Sequence, residues 1–246
     1  MSFGVVGQAA RRISLSAIRI RQPLEQRVTL PDVPNTGTQT PDSLGYSIAK
    51  PALDVGLSVL ALVLAAPIML ALAIAIKLES KGPVLYGQVR LGRRAKRFRC
   101  YKFRTMRLGA DAELLAGPEL RRIYLENDYK IPLEKDPRLT SLGRFLRKSS
   151  LDELPQFFNV LSGSMSLVGP RPIVPEELEW YRGNEELFLS VRPGITGVWQ
   201  VQGRSRIGYP ERTQVELEGI RRRSLWRDLE VLAASVPAVI LSRGSL

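Results

Sequence analysis

Between Val55 and Ile76 the chain runs 22 residues without a charge, inside DVGLSVLALVLAAPIMLALAIAIKLESKG. A helix rising about 1.5 Å per residue over that length comes close to crossing the roughly 30 Å hydrocarbon core of a bilayer. Pro67 sits near the middle of the run, where it lacks an N–H and kinks or breaks a helix. Both flanks are positive. Arg11, Arg12, Arg19, Arg21, Arg27 and Lys50 precede the run, and between Lys77 and Arg107 there are eleven basic residues against one acidic, a net of +10. Positive charge beside membrane segments stays cytoplasmic. A proline-broken, re-entrant helix that enters and leaves on the cytoplasmic face therefore satisfies both ends. The competing reading is the buried core helix of a soluble protein, which rarely stays charge-free for so long.

The charge balance extends this argument. With 36 Lys and Arg against 24 Asp and Glu, the 246-residue chain carries +12 and calls for an anionic partner: nucleic acid, anionic lipid or a phosphorylated substrate. Histidine is absent, which excludes imidazole general bases, Ser-His-Asp triads and His-containing metal sites. One cysteine, Cys100, permits no intrachain disulfide and reads as a small, half-buried structural residue in the strand-like FRCYKF.

Along the chain, residues 1–47 are rich in Arg, Ser, Thr, Pro and Gly and read as a mobile cytosolic extension. Residues 48–80 hold the membrane helix, and residues 81–246 form the remaining domain. GPVLYGQVRLGRRAKRFRCYKFRTM alternates apolar and basic residues around a glycine-containing turn, predicting a short β-hairpin. ADAELLAGPELRRIYLENDYK is polar and helix-prone. In SLWRDLEVLAASVPAVILSRG, Leu225, Leu229, Leu232, Val236 and Ile240 recur at helical spacing, a stripe that fits either core or an interfacial helix at headgroup level. The fold class expected is α+β, mostly helical, in a monotopic membrane protein.

The chemistry points to SSLDELPQ. Ser150 and Glu153 fit a capping box, and Pro155 is tolerated only near a first turn, so a helix is expected to begin between Ser150 and Asp152. A carboxylate placed there would be held ionised by the helix dipole. Arg144, Arg147, Lys148 and Arg171 stand within about twenty residues, and RPGITGVWQVQGRSR adds Arg192 and Arg204. Two adjacent carboxylates ringed by arginines suit phosphoryl chemistry, with one attacking phosphorus while another holds Mg²⁺. Tyr101 and Phe103 interleave with basic residues as in a nucleic-acid platform, but the uncharged run has no role in that reading, and no nucleic-acid partner is expected.

The motifs KFRTM, DPRLTSLGRFLRKSSLDELPQFFNVLSGSMSLVGPRP and RPGITGVWQVQGR together resemble the bacterial sugar transferases, the monotopic polyprenol-phosphate phosphoglycosyl transferases, in their small catalytic-domain form. The likeness covers about residues 48–244. It implies an enzyme that moves a sugar 1-phosphate from a UDP-sugar to undecaprenyl phosphate, with UMP released, and so initiates exopolysaccharide, capsule or O-antigen assembly. It further implies a covalent aspartyl phosphosugar on Asp152, Mg²⁺ held by Glu153, and substrate phosphates bound by Lys102, Arg147, Arg171 and Arg204. The family's membrane helix breaks at a Ser-Pro pair, which here reads Ala66-Pro67. The resemblance also implies a place at the cytoplasmic face of the bacterial inner membrane, with a homodimer allowed by analogy alone. A non-catalytic basic membrane scaffold is the alternative function.

Overall fold

The computed structural model describes residues 44–203 and 207–240. The extension expected at 1–47 lies outside these residues for nearly all its length, as does Arg204.

The apolar run folds as α1 (Leu44–Glu79), one helix of 36 residues that continues through both Pro51 and Pro67. The expected break at Ala66-Pro67 does not end it. Proline withholds a single ladder hydrogen bond, and the helical turns on either side carry the element across. Just 6% of its most apolar 18-residue window is covered by the rest of the protein. Leu60, Val63, Leu64, Ile68 and Leu70 are all more than half exposed, an uncovered surface that matches a membrane segment rather than a soluble core helix.

One side of α1 is anchored. Lys50 and Asp54, a turn apart, pair at 2.7 Å and are both buried. Asp54 also accepts from Ser166 Oγ at 2.8 Å and from the Leu167 backbone N–H at 3.1 Å, while Lys50 reaches Asp228 at 3.3 Å. At the other end, the Arg104 guanidinium donates to the carbonyls of Lys81 at 2.6 Å and Ser80 at 2.7 Å and so closes the helix terminus.

The hairpin is present as expected. Strands β1 (Leu85–Leu91) and β2 (Arg97–Phe103) pair antiparallel, with Tyr86 opposite Lys102 and Gln88 opposite Cys100. Cys100, expected half-buried, is fully enclosed with Val160, Met165 and Leu167. Helices α2 (Ala110–Ala116), α3 (Pro118–Glu126), α4 (Ser141–Ser149) and α5 (Gln156–Leu161) follow. α4 packs so tightly that a Cβ on Gly143 would sit 1.9 Å from the Thr105 carbonyl oxygen. Its first turn is capped by Thr140, which accepts from the Gly143 N–H, and by Glu79 of α1, which accepts from the Leu142 N–H.

Two short parallel strands, β3 (Ser166–Val168) and β4 (Gly194–Thr196), bring the GPRP turn beside RPGITG. The approach requires glycine, because a Cβ on Gly194 would meet the Gly169 nitrogen at 2.2 Å. Helices α6 (Glu185–Leu189), α7 (Val198–Gln202), α8 (Glu211–Arg221) and α9 (Leu225–Ile240) complete the chain. The stripe expected on α9 divides between two faces. Asp228 and Val231 are buried and Leu232 packs on the Met165 cluster, whereas Trp226, Leu229 and Val236 face outward.

Asp54→Ala should strip the partners from a buried lysine and a backbone N–H at once. A loss of about 3–5 kcal/mol is expected in chemical denaturation of the detergent-solubilised protein, with Asp54→Asn losing less because it still accepts from Leu167.

Candidate active site

Lys102 lies in β2, its side chain 30% exposed, and its ammonium bridges the two carboxylates: 2.6 Å to Glu153 Oε1 and 3.5 Å to Asp152 Oδ2. The strand is held in place from behind. Asn159 of α5 accepts from the Tyr101 N–H at 2.9 Å and donates to the Arg99 carbonyl at 2.8 Å, so one side chain clamps the backbone on either side of Cys100.

The local structure of the acidic pair differs from a capping box. Ser150 adopts a left-handed conformation (φ 58°) as the C-cap of α4, and Leu151–Glu153 form a single 3-10 turn. α5 begins only at Gln156, with Pro155 as its N-cap. The dipole argument for an ionised carboxylate therefore does not apply. Asp152 is buried, and this burial raises its pKa above the ordinary carboxylate value against the pull of Lys102 and Arg147. For Lys102 burial acts to lower the pKa, but Glu153 and Asp152 outweigh it and the net shift is upward.

Arg147 extends from α4 and donates through Nε to Thr105 Oγ1 at 3.2 Å, with Nη1 3.6 Å from Asp136 Oδ2. Asp136 is itself locked by Arg138 in a two-pronged pair at 2.8 and 2.9 Å. Arg171 sits beyond β3. Its backbone N–H donates to Glu216 at 3.0 Å and its guanidinium lies 5.8 Å from the Trp199 ring centre, near enough to Lys102 for the two charges to oppose each other. Lys102, Asp152 and Glu153 are thus in direct contact, and Arg147 and Arg171 flank them from opposite elements. Ala66 and Pro67 stand apart, exposed on α1.

Asp136, Arg138, Arg212 and Glu216 support the site and were not marked by the sequence. Asp136-Pro137-Arg138 carries a local signal, since the pair closes over two residues. Arg212 and Glu216 carry the i,i+4 spacing of a helical ion pair, but their further partners Glu177 and Arg171 come from distant segments.

No group of three or more Asp, Glu or Cys side chains is gathered among the described residues. Two adjacent carboxylates, with Glu153 still 32% exposed at its side chain, nevertheless fit Mg²⁺ in its usual mode of one or two carboxylates plus substrate phosphate. A separate cavity of about 230 Å³ opens between α1 and α9 and is lined by Lys50, Asp54, Arg192, Glu216, Arg227 and Asp228. The acidic pair is not part of its wall.

This combination of an α+β body on an uncovered apolar helix, with paired carboxylates under basic side chains, defines a membrane-associating protein with a mixed acidic and basic cluster. The model of the family described as bacterial sugar transferase matches residues 45–242, and the chain belongs to that family. It is 43% identical over 199 residues to the undecaprenyl-phosphate galactose phosphotransferase of Salmonella typhimurium, covering 80% of this chain and 41% of that protein. It is 41% identical over 202 residues to the exopolysaccharide production protein ExoY of Sinorhizobium fredii, covering 80% and 88% respectively. Against the UDP-glucose:undecaprenyl-phosphate glucose-1-phosphate transferase of Escherichia coli it is 38% identical over 223 residues, 87% of this chain and 44% of the relative. The chain thus spans about two-fifths of the length of the Salmonella and E. coli proteins.

Asn159→Ala should release both backbone groups it holds on β2. Amide exchange at Tyr101 should accelerate selectively, with a global cost of about 1–3 kcal/mol.

Proposed function

We propose that this protein transfers a sugar 1-phosphate from a UDP-sugar to undecaprenyl phosphate. The observation that carries the reading is Lys102 spanning Asp152 and Glu153, with Arg147 and Arg171 beside them, in a chain of the family to which these relatives belong.

In this reading an Asp152 oxygen forms a bond to the sugar-bearing phosphorus as the phosphoanhydride bond breaks, and the electron pair leaves on UMP. An undecaprenyl phosphate oxygen then attacks the same phosphorus and frees the carboxylate. Lys102 neutralises the Asp152 and Glu153 charges that would otherwise repel the incoming phosphate, and Arg147 and Arg171 bind its oxygens. Arg204 is assigned to the same task by its motif. Mg²⁺, held by Glu153, would supply charge neutralisation on the transferring phosphate. Burial of Asp152 removes competing water from the attacking oxygen.

α1 is embedded from the cytoplasmic face of the inner membrane, and a return to that face would require the helix, continuous in this structure, to bend at Ala66-Pro67 in the bilayer. Trp226, Leu229 and Val236 of α9 rest in the headgroup layer. Residues 81–246 act as the catalytic domain. ExoY is named for exopolysaccharide production, which supports a role in starting exopolysaccharide, capsule or O-antigen assembly.

Detergent-solubilised protein given Mg²⁺ and undecaprenyl phosphate should release UMP from at least one of UDP-glucose, UDP-galactose and their N-acetyl derivatives. Asp152→Asn should reduce release by at least about 10³-fold, to the uncatalysed background; full activity in that variant would remove Asp152 as nucleophile. Tags at residue 40 and at the C-terminus should both report cytoplasmic, and opposite sides would mean that α1 spans.

A further inference from the structure

Trp199 is 3% exposed, yet three cations surround its indole. The Arg212 guanidinium lies 4.5 Å from the ring centre, the Lys130 ammonium 4.8 Å and Arg171 5.8 Å. Arg212 is fully buried and balanced by Glu177 at 3.3 Å and Glu216 at 3.5 Å. Lys130 and Arg171 differ from it. Both are half-buried, and among the described residues no carboxylate lies within ion-pair distance of either. Like charges gathered around one buried ring repel, and an entering anion relieves that cost.

The placement of Lys130 is built rather than incidental. It follows Asp128 and Tyr129, both left-handed (φ 52° and 60°), and the Asp128 carboxylate accepts from the Tyr209 N–H at 3.4 Å, which ties the loop to the segment leading into α8. Arg171 bears electrostatically on Lys102 on one side and on Lys130 on the other. Arg171 is thus common to the basic groups that act on the acidic pair and to those around Trp199.

We propose that Lys130, together with Arg171, binds the phosphate that stays with the nucleotide of the sugar donor when the transferring phosphate lies at Asp152. The inference rests on the transferase reading above. Its signature is protonic. Burial, then the charges of Arg171 and Arg212, lowers the Lys130 ammonium to about 7 against the opposite pull of Glu177 and Asp128. Glu177 is already engaged by Arg90, Arg212 and Tyr209, and the arginines stay charged throughout. A bound phosphate favours the ammonium and raises its pKa. Above about pH 7, binding then takes up a proton, and affinity falls by up to about tenfold per pH unit until the raised pKa is reached.

The test uses the full chain in nanodiscs with UMP as probe, titrated calorimetrically between about pH 7 and pH 9 in two buffers of different ionisation enthalpy. The wild-type protein should bind more weakly as pH rises and should take up a proton. Lys130→Gln should weaken binding at pH 7 by about tenfold and flatten the pH dependence. Lys130→Arg should keep the affinity at pH 7 and lose the dependence, which a merely structural role would not produce. Wild-type affinity and pH dependence in Lys130→Gln would overturn the inference, while UMP release by the wild-type enzyme would leave the transferase reading standing. Lys130-dependent UMP binding in a preparation that transfers no sugar phosphate would instead overturn the reaction and retain the nucleotide site.

Discussion

A buried carboxylate just before the uncharged run of α1 organises this molecule. Asp54 accepts from Lys50, Ser166 and the Leu167 N–H, and a charge so deeply enclosed is tolerable only with all these partners in place. The pairing selects which side of α1 meets protein and leaves the other side to lipid. It also holds β3 against the helix. β3 in turn sets β4 through the Gly169 and Gly194 contact, and from this pair the GPRP turn delivers Arg171.

The candidate site inherits its geometry from the opposite end of the same helix. Arg104 caps the C-terminus of α1 two residues after Lys102, and Phe103 between them enters the core with Ile76 and Leu146. The alternation along β2 therefore ties the end of α1, the core and the acidic pair to three consecutive residues. Asn159 holds the strand from the other edge. A shift of one residue in β2 would send Lys102 into the core and Phe103 toward the acidic pair.

Much of this was legible beforehand. The hairpin followed from alternation and the uncovered apolar helix from a long uncharged run, while Cys100, expected half-buried, is buried outright. Other features were not. The capping-box reading of Ser150 and Glu153 rested on spacing alone, whereas Ser150 ends the preceding helix in a left-handed conformation. The α9 stripe was drawn through Leu229 and Val236, which are exposed, while the inward face runs through Asp228 and Val231. There the partner Lys50 comes from a residue far back in the chain. Arg212 stands one turn before Glu216, a spacing visible in the sequence, but Glu177 and Trp199 join it only on folding.

By itself the sequence determined that an uncharged helix needs an apolar environment, that in a histidine-free chain any acid-base or nucleophilic work falls to Asp, Glu, Lys, Ser or Tyr, and that Asp152 and Glu153 stand together. These follow from residue type and local spacing. Only the tertiary structure decided the burial of Asp152, the bridging of both acids by Lys102, and the assembly of Lys130 with Arg171 around Trp199. Burial and through-space charge depend on segments separated by tens of residues, and no local pattern encodes where they meet.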